Sequence, residues 1–146
     1  MGGWVLKANP AVWDVGAHLA AGGPVDRWRL TRSYRCDLMA PGQPAVLWVT
    51  SGDPDLPPGV WATGQVTAPP EDDVGEPDDP LWRDHGAQRQ VRPYVEVRLE
   101  VLEEPVGPDE LRADAVLAGM ELFRAPRMGS PISVSPDELA ALRRLL

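Results

Sequence analysis

Between Val91 and Leu102 the chain alternates with period two, Val95, Val97, Leu99 and Val101 standing against Glu96, Arg98 and Glu100. Only a strand sends successive side chains to opposite faces, so this run predicts a strand with one wet face and one dry one. A sheet of that kind is built largely from antiparallel strands and must bury its dry face on a core. Three more segments suit the same sheet. Gly3–Lys7 and Ala45–Thr50 are short, nearly continuous apolar runs, and Val60–Thr67 is a third strand in which Gly64 marks a bulge or a close backbone approach.

The remaining periodic segments are short and helical. Asn9-Pro10 ends the first strand, and Pro10–Ala21 carries Val12, Trp13, Val15, His18 and Leu19 as one stripe, closed by Gly22-Gly23-Pro24. In that helix Trp13 is expected to pack onto the sheet. Ser33 is placed to cap a turn or two through Met39, and further short helices are expected from Pro108 to Leu111 and from Ala115 to Met120. Gly129-Ser130-Pro131 reads as irregular. Ser135-Pro136-Asp137-Glu138 has the form of a capping box with proline at the first helical position, followed by Leu139, Leu142, Leu145 and Leu146. Strands separated by short helices, with no βαβ spacing and no glycine fingerprint, predict an α+β fold around a curled sheet.

At 146 residues the chain is expected to form one domain. No run approaches the roughly 18 apolar residues of a membrane span, and no basic and apolar leader follows Met1, so a cytoplasmic protein without membrane contact is expected. Cys36 is the only cysteine, and His18 and His85 lie far apart, so neither a disulfide nor a metal site is expected, and no cofactor. The net charge of −8 opposes nucleic acid, whose phosphates normally supply much of the affinity. Glu71, Asp72, Asp73, Glu76, Asp78 and Asp79 make up most of that imbalance. They fall in a segment rich in proline and glycine, which predicts a solvated loop excursion over about residues 69–90, outside the sheet.

Residues 26–35, Asp-Arg-Trp-Arg-Leu-Thr-Arg-Ser-Tyr-Arg, follow neither the helical nor the strand period. Aromatic faces on which a base can stack, interleaved with guanidinium groups, suit a flat and anionic ligand; the alternative is a core tryptophan among solvated arginines. Elsewhere the chain offers no nucleophile elbow, no phosphate-cradling loop and no sequence pairing of cysteine with histidine.

Several of these residues belong to a recognisable pattern. Trp4-Val-Leu-Lys7-Ala-Asn9-Pro10, Trp28-Arg-Leu-Thr-Arg32-Ser-Tyr34, Leu47-Trp48-Val-Thr-Ser51, Pro58-Gly59-Val60, Leu111-Arg-Ala-Asp114 with Leu117-Ala-Gly-Met120, and Ser135-Pro-Asp-Glu138 occur in the order and spacing of the EVE domain. The chain therefore resembles that family, which is PUA-like and related to the YTH readers. Ala8-Asn9 stands where the family usually has Ser-Glu, the asparagine being similar to the YTH relatives, and Arg29-Leu30 stands where it has Asp-Gly.

The resemblance implies a PUA-like curled β-barrel flanked by short helices, and a non-catalytic reader that flips a modified, methylated base of DNA or RNA into an aromatic cage. Trp28 is the first candidate wall. Trp61 is a second wall or a core residue, and Trp48 a further wall or, inside its apolar run, core. Asn9 is placed to read a base edge or to form the turn before Pro10, with Lys7 beside it. Ser51 offers a hydroxyl at the mouth or closes its strand, and Ser33 and Tyr34 are the remaining ligand candidates. Arg32, Arg35, Arg124 and Arg127 are candidates for flanking phosphates or are solvated. Proteins of restriction, repair or RNA processing are the partners such a reader implies. Two rivals come from other classes. One is a nucleobase hydrolase similar to the ASCH relatives, for which Lys7 is available but no paired carboxylate; the other is a protein-interaction module with tryptophan hot spots.

Overall fold

The computed structural model describes residues 2–146. Six strands form one sheet in the order β2-β5-β4-β3-β1-β6. They are β1 (Gly3–Ala8), β2 (Val25–Arg29), β3 (Pro44–Val49), β4 (Gly59–Asp73), β5 (Arg92–Val106) and β6 (Ile132–Val134). Pairing is antiparallel except between β1 and β3, which run parallel with Trp4 opposite Ala45 and Ala8 opposite Val49. All four segments expected as strands lie in this sheet. Five short helices surround it: α1 (Val15–Ala20), α2 (His85–Arg89), α3 (Pro108–Arg112), α4 (Glu121–Arg124) and α5 (Pro136–Leu145). The α+β class expected from the sequence is the observed one.

Burial divides by strand face. Trp4, Leu6 and Ala8 of β1 join Val25, Trp28, Leu47, Val49, Val95, Val97 and Leu99 in the cluster inside the curl. Val5 and its neighbours Val46 and Trp48 face the other way, onto Leu111, Leu122, Ile132 and Leu142 from the helices and β6. Strands covered on both faces lose their polar alternation, and this is why β1 and β3 read as continuous apolar runs while β5 alternates.

The sheet curls until its outer edges meet. Beyond β2, Thr31 N donates to Ser130 O just before β6 (2.8 Å), and Lys7 N donates to Ser130 Oγ (2.7 Å). Gly64 fits its sequence reading as a close approach, because a Cβ there would run into the Arg98 carbonyl of β5. The C-terminal helix also begins as expected. Ser135 Oγ accepts from Glu138 N (3.2 Å) and Ser135 N donates to Glu138 Oε1 (2.9 Å). Ser135→Ala should therefore cost about 1 kcal/mol, read as a lowered denaturation midpoint with an unchanged slope.

Four expectations need correction. The helix expected over Pro10–Ala21 starts only at Val15, because Asn9 Oδ1 holds Ala11 N in a turn (3.0 Å) and Asp14 Oδ1 caps Ala17 N (3.1 Å). Residues 26–35 are not outside regular structure: they contain most of β2 and the start of a 3-10 helix over Tyr34–Leu38. The short helix expected at Ala115–Met120 is only a 3-10 turn at Leu117–Gly119, and α4 and β6 follow where the sequence predicts no element. Lastly, the excursion at about 69–90 is no free loop. β4 continues to Asp73, α2 occupies His85–Arg89, and the stretch between them folds back over the sheet.

Candidate nucleic-acid interface

That returning stretch builds a pocket. Asp14 N donates to Leu81 O (2.7 Å), Arg83 N to Val12 O (2.9 Å) and Arg83 Nη1 to Pro10 O (2.8 Å), so residues 81–83 are stitched to the loop after β1. Trp82 thereby comes to lie beside Trp13. Its ring rests on Gly75, where a Cβ would stand 2.7 Å from the indole carbons, so glycine is required for this closure.

The cavity enclosed is about 340 Å³, within the roughly 300–1,000 Å³ of small-molecule sites. It lies where the open edge of β2 faces the end of β1, because β6 pairs only with Gly3, Trp4 and Val5 and leaves Lys7 and Ala8 beyond its reach. Trp13, Trp28, Trp82, Tyr94 and His18 supply aromatic surface, and Asn9, Arg27 and Arg29 polar surface.

Trp28 and Trp13 meet edge to face, centroids 5.6 Å apart and planes at 86°, and form a corner. Both indole N–H groups are spent on the protein. Trp28 Nε1 donates to Lys7 O (3.1 Å) and Trp13 Nε1 to Asp79 Oδ2 (3.0 Å), so the rings have only apolar surface left to offer. His18 extends the Trp13 side at 5.3 Å, with Nε2 donating to Pro24 O. Backbone groups line the same space. Leu30 N donates to Pro93 O (2.8 Å), which sets the phase of the β2 ladder; the amides and carbonyls of Arg27 and Arg29 then point out of the sheet along the open edge.

The sequence candidates are distributed unevenly around this site. Trp28, Asn9 and Lys7 line it. Asn9 Oδ1 is engaged with Ala11 N, which leaves its amide NH₂ as the group available to a ligand. Lys7 contributes backbone, since its ammonium donates to Pro126 O (2.6 Å) and Met128 O (3.0 Å); burial also lowers its pKa. Trp48 is a core residue on the opposite face, edge to face with Phe123. Trp61 packs against the inner cluster with its Nε1 donating to Pro57 O (2.8 Å), and does not reach the pocket. Ser51 is exposed past the end of β3, away from the pocket, and Thr50 Oγ1 donates to Ala8 O (3.2 Å).

Ser33, Tyr34 and Arg32 line a second groove, of about 480 Å³, with Pro70 and Asp72; Tyr34 is 71% exposed there. Arg32 is already paired with Asp72 at 2.7 Å. Arg35 is no candidate for phosphate, being sunk in an ion pair with Glu121. Arg124 Nε donates to Gly119 O (2.8 Å), and Arg127 is exposed.

The acidic segment is also misplaced by the sequence reading. Asp73 pairs with Arg27 at 2.6 Å, Glu76 lies 3.8 Å from the same guanidinium, and Glu76 and Asp79 line the pocket. Its charge bears directly on whatever approaches. Trp82, Tyr94 and His18 are pocket residues that carry no site signal in the sequence; Arg27 and Arg29 belong to the 26–35 segment read as suited to a flat, anionic ligand but are not among its named candidates, and Trp13 is expected only to pack. Among the described residues, no cluster of three or more His, Cys, Asp or Glu side chains is placed to hold a metal, and no helix is long and apolar enough to cross a membrane.

A curled mixed sheet whose open edge is closed by an aromatic-walled pocket defines a PUA-like α+β protein. The chain belongs to the EVE domain family, whose sequence model matches residues 3–145. No curated protein gives a significant match. Among solved structures it is similar to a protein from Pseudomonas putida (20% identity, 97% of each chain, TM-score 0.67) and to a hypothetical protein from Leishmania major (22% identity, 99% of this chain and 94% of that one, TM-score 0.66). Human THYN1, solved in complex with DNA containing 5-methylcytosine, is similar at 15% identity over 98% of this chain and 97% of that one, with a TM-score of 0.57.

Proposed function

We propose that this protein is a non-catalytic reader of methylated DNA, and that the pocket between β1 and β2 takes the methylated base flipped out of its strand. The observation that carries the reading is the aromatic corner of Trp13 and Trp28 with Trp82 beside it, its indole N–H groups at Trp13 and Trp28 already satisfied. Such walls gain dispersion from a flat, polarizable base and bury its methyl group. The Asn9 amide and the outward-facing backbone of Arg27 and Arg29 supply polar groups for the base edge. The DNA complex of human THYN1 supports methylated DNA as the ligand class, and membership of the EVE family supports binding as the activity.

The test is a titration of intrinsic tryptophan fluorescence with matched DNA oligonucleotides carrying 5-methylcytosine or cytosine, and with the corresponding RNAs. Methylated DNA is expected to bind more tightly. Trp82 is 8% exposed but belongs to neither core cluster, so Trp82→Ala should lower stability less than truncation of a core tryptophan and cost about 1–3 kcal/mol of binding, with denaturant midpoints measured alongside. Equal binding of methylated and unmethylated strands, or affinity untouched by Trp82→Ala, would sink the reading; conversion of the base would point to a hydrolase instead. Salt dependence should be shallow, because Glu76 and Asp79 stand at the pocket and Arg27 is already neutralised, leaving the base to provide most of the affinity.

A further inference from the structure

Two residues that line this pocket each carry a buried polar atom with no hydrogen-bond partner among the described residues: Arg29 Nε and the Tyr94 hydroxyl. Tyr94 is only 7% exposed. Leaving buried donors unpaired is costly, and native proteins do so rarely. The two are neighbours by construction, since Arg29 of β2 and Tyr94 of β5 stand directly opposite each other and their side chains share a face. Both line the cavity.

The surroundings favour an anion there. Arg29 donates through Nη2 to the neutral amide of Gln90 (2.7 Å) and makes no salt bridge among the described residues, in a chain with 22 acidic groups. By contrast Arg27, two residues earlier on the same face, holds Asp73 and stacks 4.0 Å above the Tyr94 ring. A second cation, Arg92, is close enough to act on Arg29; its Nη1 donates to Leu30 O, one residue further along. Burial first, and Arg92 second, hold the Arg29 pKa below its usual range, outweighing the opposite pull of Asp84, which makes no ion pair with it. Burial raises the Tyr94 pKa, so the hydroxyl keeps its proton as a donor.

We propose that Arg29 and the Tyr94 hydroxyl, with Arg92 behind them, form an anion subsite that takes a phosphate attached to the flipped nucleoside. Trp28, between Arg27 and Arg29 on the strand, faces the inside of the curl, so base and phosphate would be held on the two sides of the β2 edge. This inference rests on the base-pocket reading. The phosphate is either the phosphodiester of a strand or the terminal phosphate of a free nucleotide.

The experiment compares 5-methyl-2′-deoxycytidine, its 3′- and 5′-monophosphates and a methylated oligonucleotide as ligands of the wild type, Tyr94→Phe and Arg29→Gln, by calorimetry at fixed ionic strength. Tyr94→Phe removes only the unpaired oxygen and should leave the fold intact. The wild type should bind at least one monophosphate roughly tenfold more tightly than the nucleoside, as one or two charge-assisted hydrogen bonds would give. Both variants should lose most of that gain, their affinity for the monophosphate falling by more than their affinity for the nucleoside. A gain for the oligonucleotide and one of the monophosphates identifies the strand phosphodiester, and a gain for a monophosphate alone identifies the free nucleotide. If nucleoside and monophosphates bind equally, or if the gain survives in both variants, the anion subsite is refuted. A phosphate-dependent gain that ignores the methyl group would keep the subsite and refute the base reading, and absence of all binding would refute both.

Discussion

Trp28→Ala is expected to lower folding stability by about 3–5 kcal/mol and to abolish ligand binding in whatever fraction stays folded. The ring is 9% exposed and belongs to the inner core cluster, so its truncation opens a cavity beneath β2. It also strands the Lys7 carbonyl and removes the surface against which the edge of Trp13 packs. Core residue and pocket wall are thus one side chain. Trp28→Phe separates the parts: it keeps much of the aromatic volume and loses the bond to Lys7, so stability should recover to a large extent while affinity recovers less. Denaturant midpoints alongside fluorescence titration give both numbers. A Trp28→Ala protein as stable as the wild type would show that the ring contributes only to the site.

What could be read from the sequence follows from how far each signal extends along the chain. The alternation in β5, the doubly covered runs of β1 and β3 and the Ser135 capping box are local patterns, and each appears where local chemistry puts it. Trp82 had no such signal. It lies among prolines and carboxylates whose composition predicts solvation, and it reaches the pocket only because residues 81–83 pair with Val12 and Asp14 and because Gly75 leaves room for its ring. Trp28 is legible through its family motif, yet its segment reads as irregular because a five-residue edge strand with a register shift shows little period. Trp48 and Trp61 looked as suitable as Trp13 by residue type. Only the curl decides which tryptophans face the gap between β1 and β2.

The acidic segment shows the same limit for charge. As a free loop it would leave the remaining, nearly balanced surface to meet DNA, but it is bound to Arg27 and Arg32 and closes the pocket from which Arg29 remains unpaired. The segment therefore both builds the site and opposes a polyanion near it. Binding that depends on one extruded base, with few phosphates neutralised, is the mode this arrangement allows.

The second large effect is expected at Arg35, a phosphate candidate by sequence that the structure holds in a largely buried ion pair. Its guanidinium forks onto both carboxylate oxygens of Glu121, the Nη2 to Oε2 distance being 2.8 Å, with each side chain 16% exposed. Glu121 also accepts from Ser133 N (3.2 Å), so the pair ties the 3-10 helix after β2 to α4 and β6, where the edges of the sheet come together. Arg35→Ala leaves a buried carboxylate nearly alone and should cost about 3 kcal/mol, the low end for a broken buried pair. Arg35→Met with Glu121→Leu should recover most of it, because both desolvated charges are then gone. The pair also sets a pH dependence. The hydrogen bond from Arg35 holds the Glu121 pKa below the ordinary carboxylate value, so its contribution is complete above about pH 5 and is lost as pH falls through the folded-state value. Unfolding midpoints measured between about pH 6 and pH 3 should fall less steeply in Glu121→Gln than in the wild type. Parallel curves would mean that the carboxylate is not held by Arg35 in solution, and the closure of the sheet at β6 would then rest on the backbone contacts of Thr31 and Lys7 with Ser130.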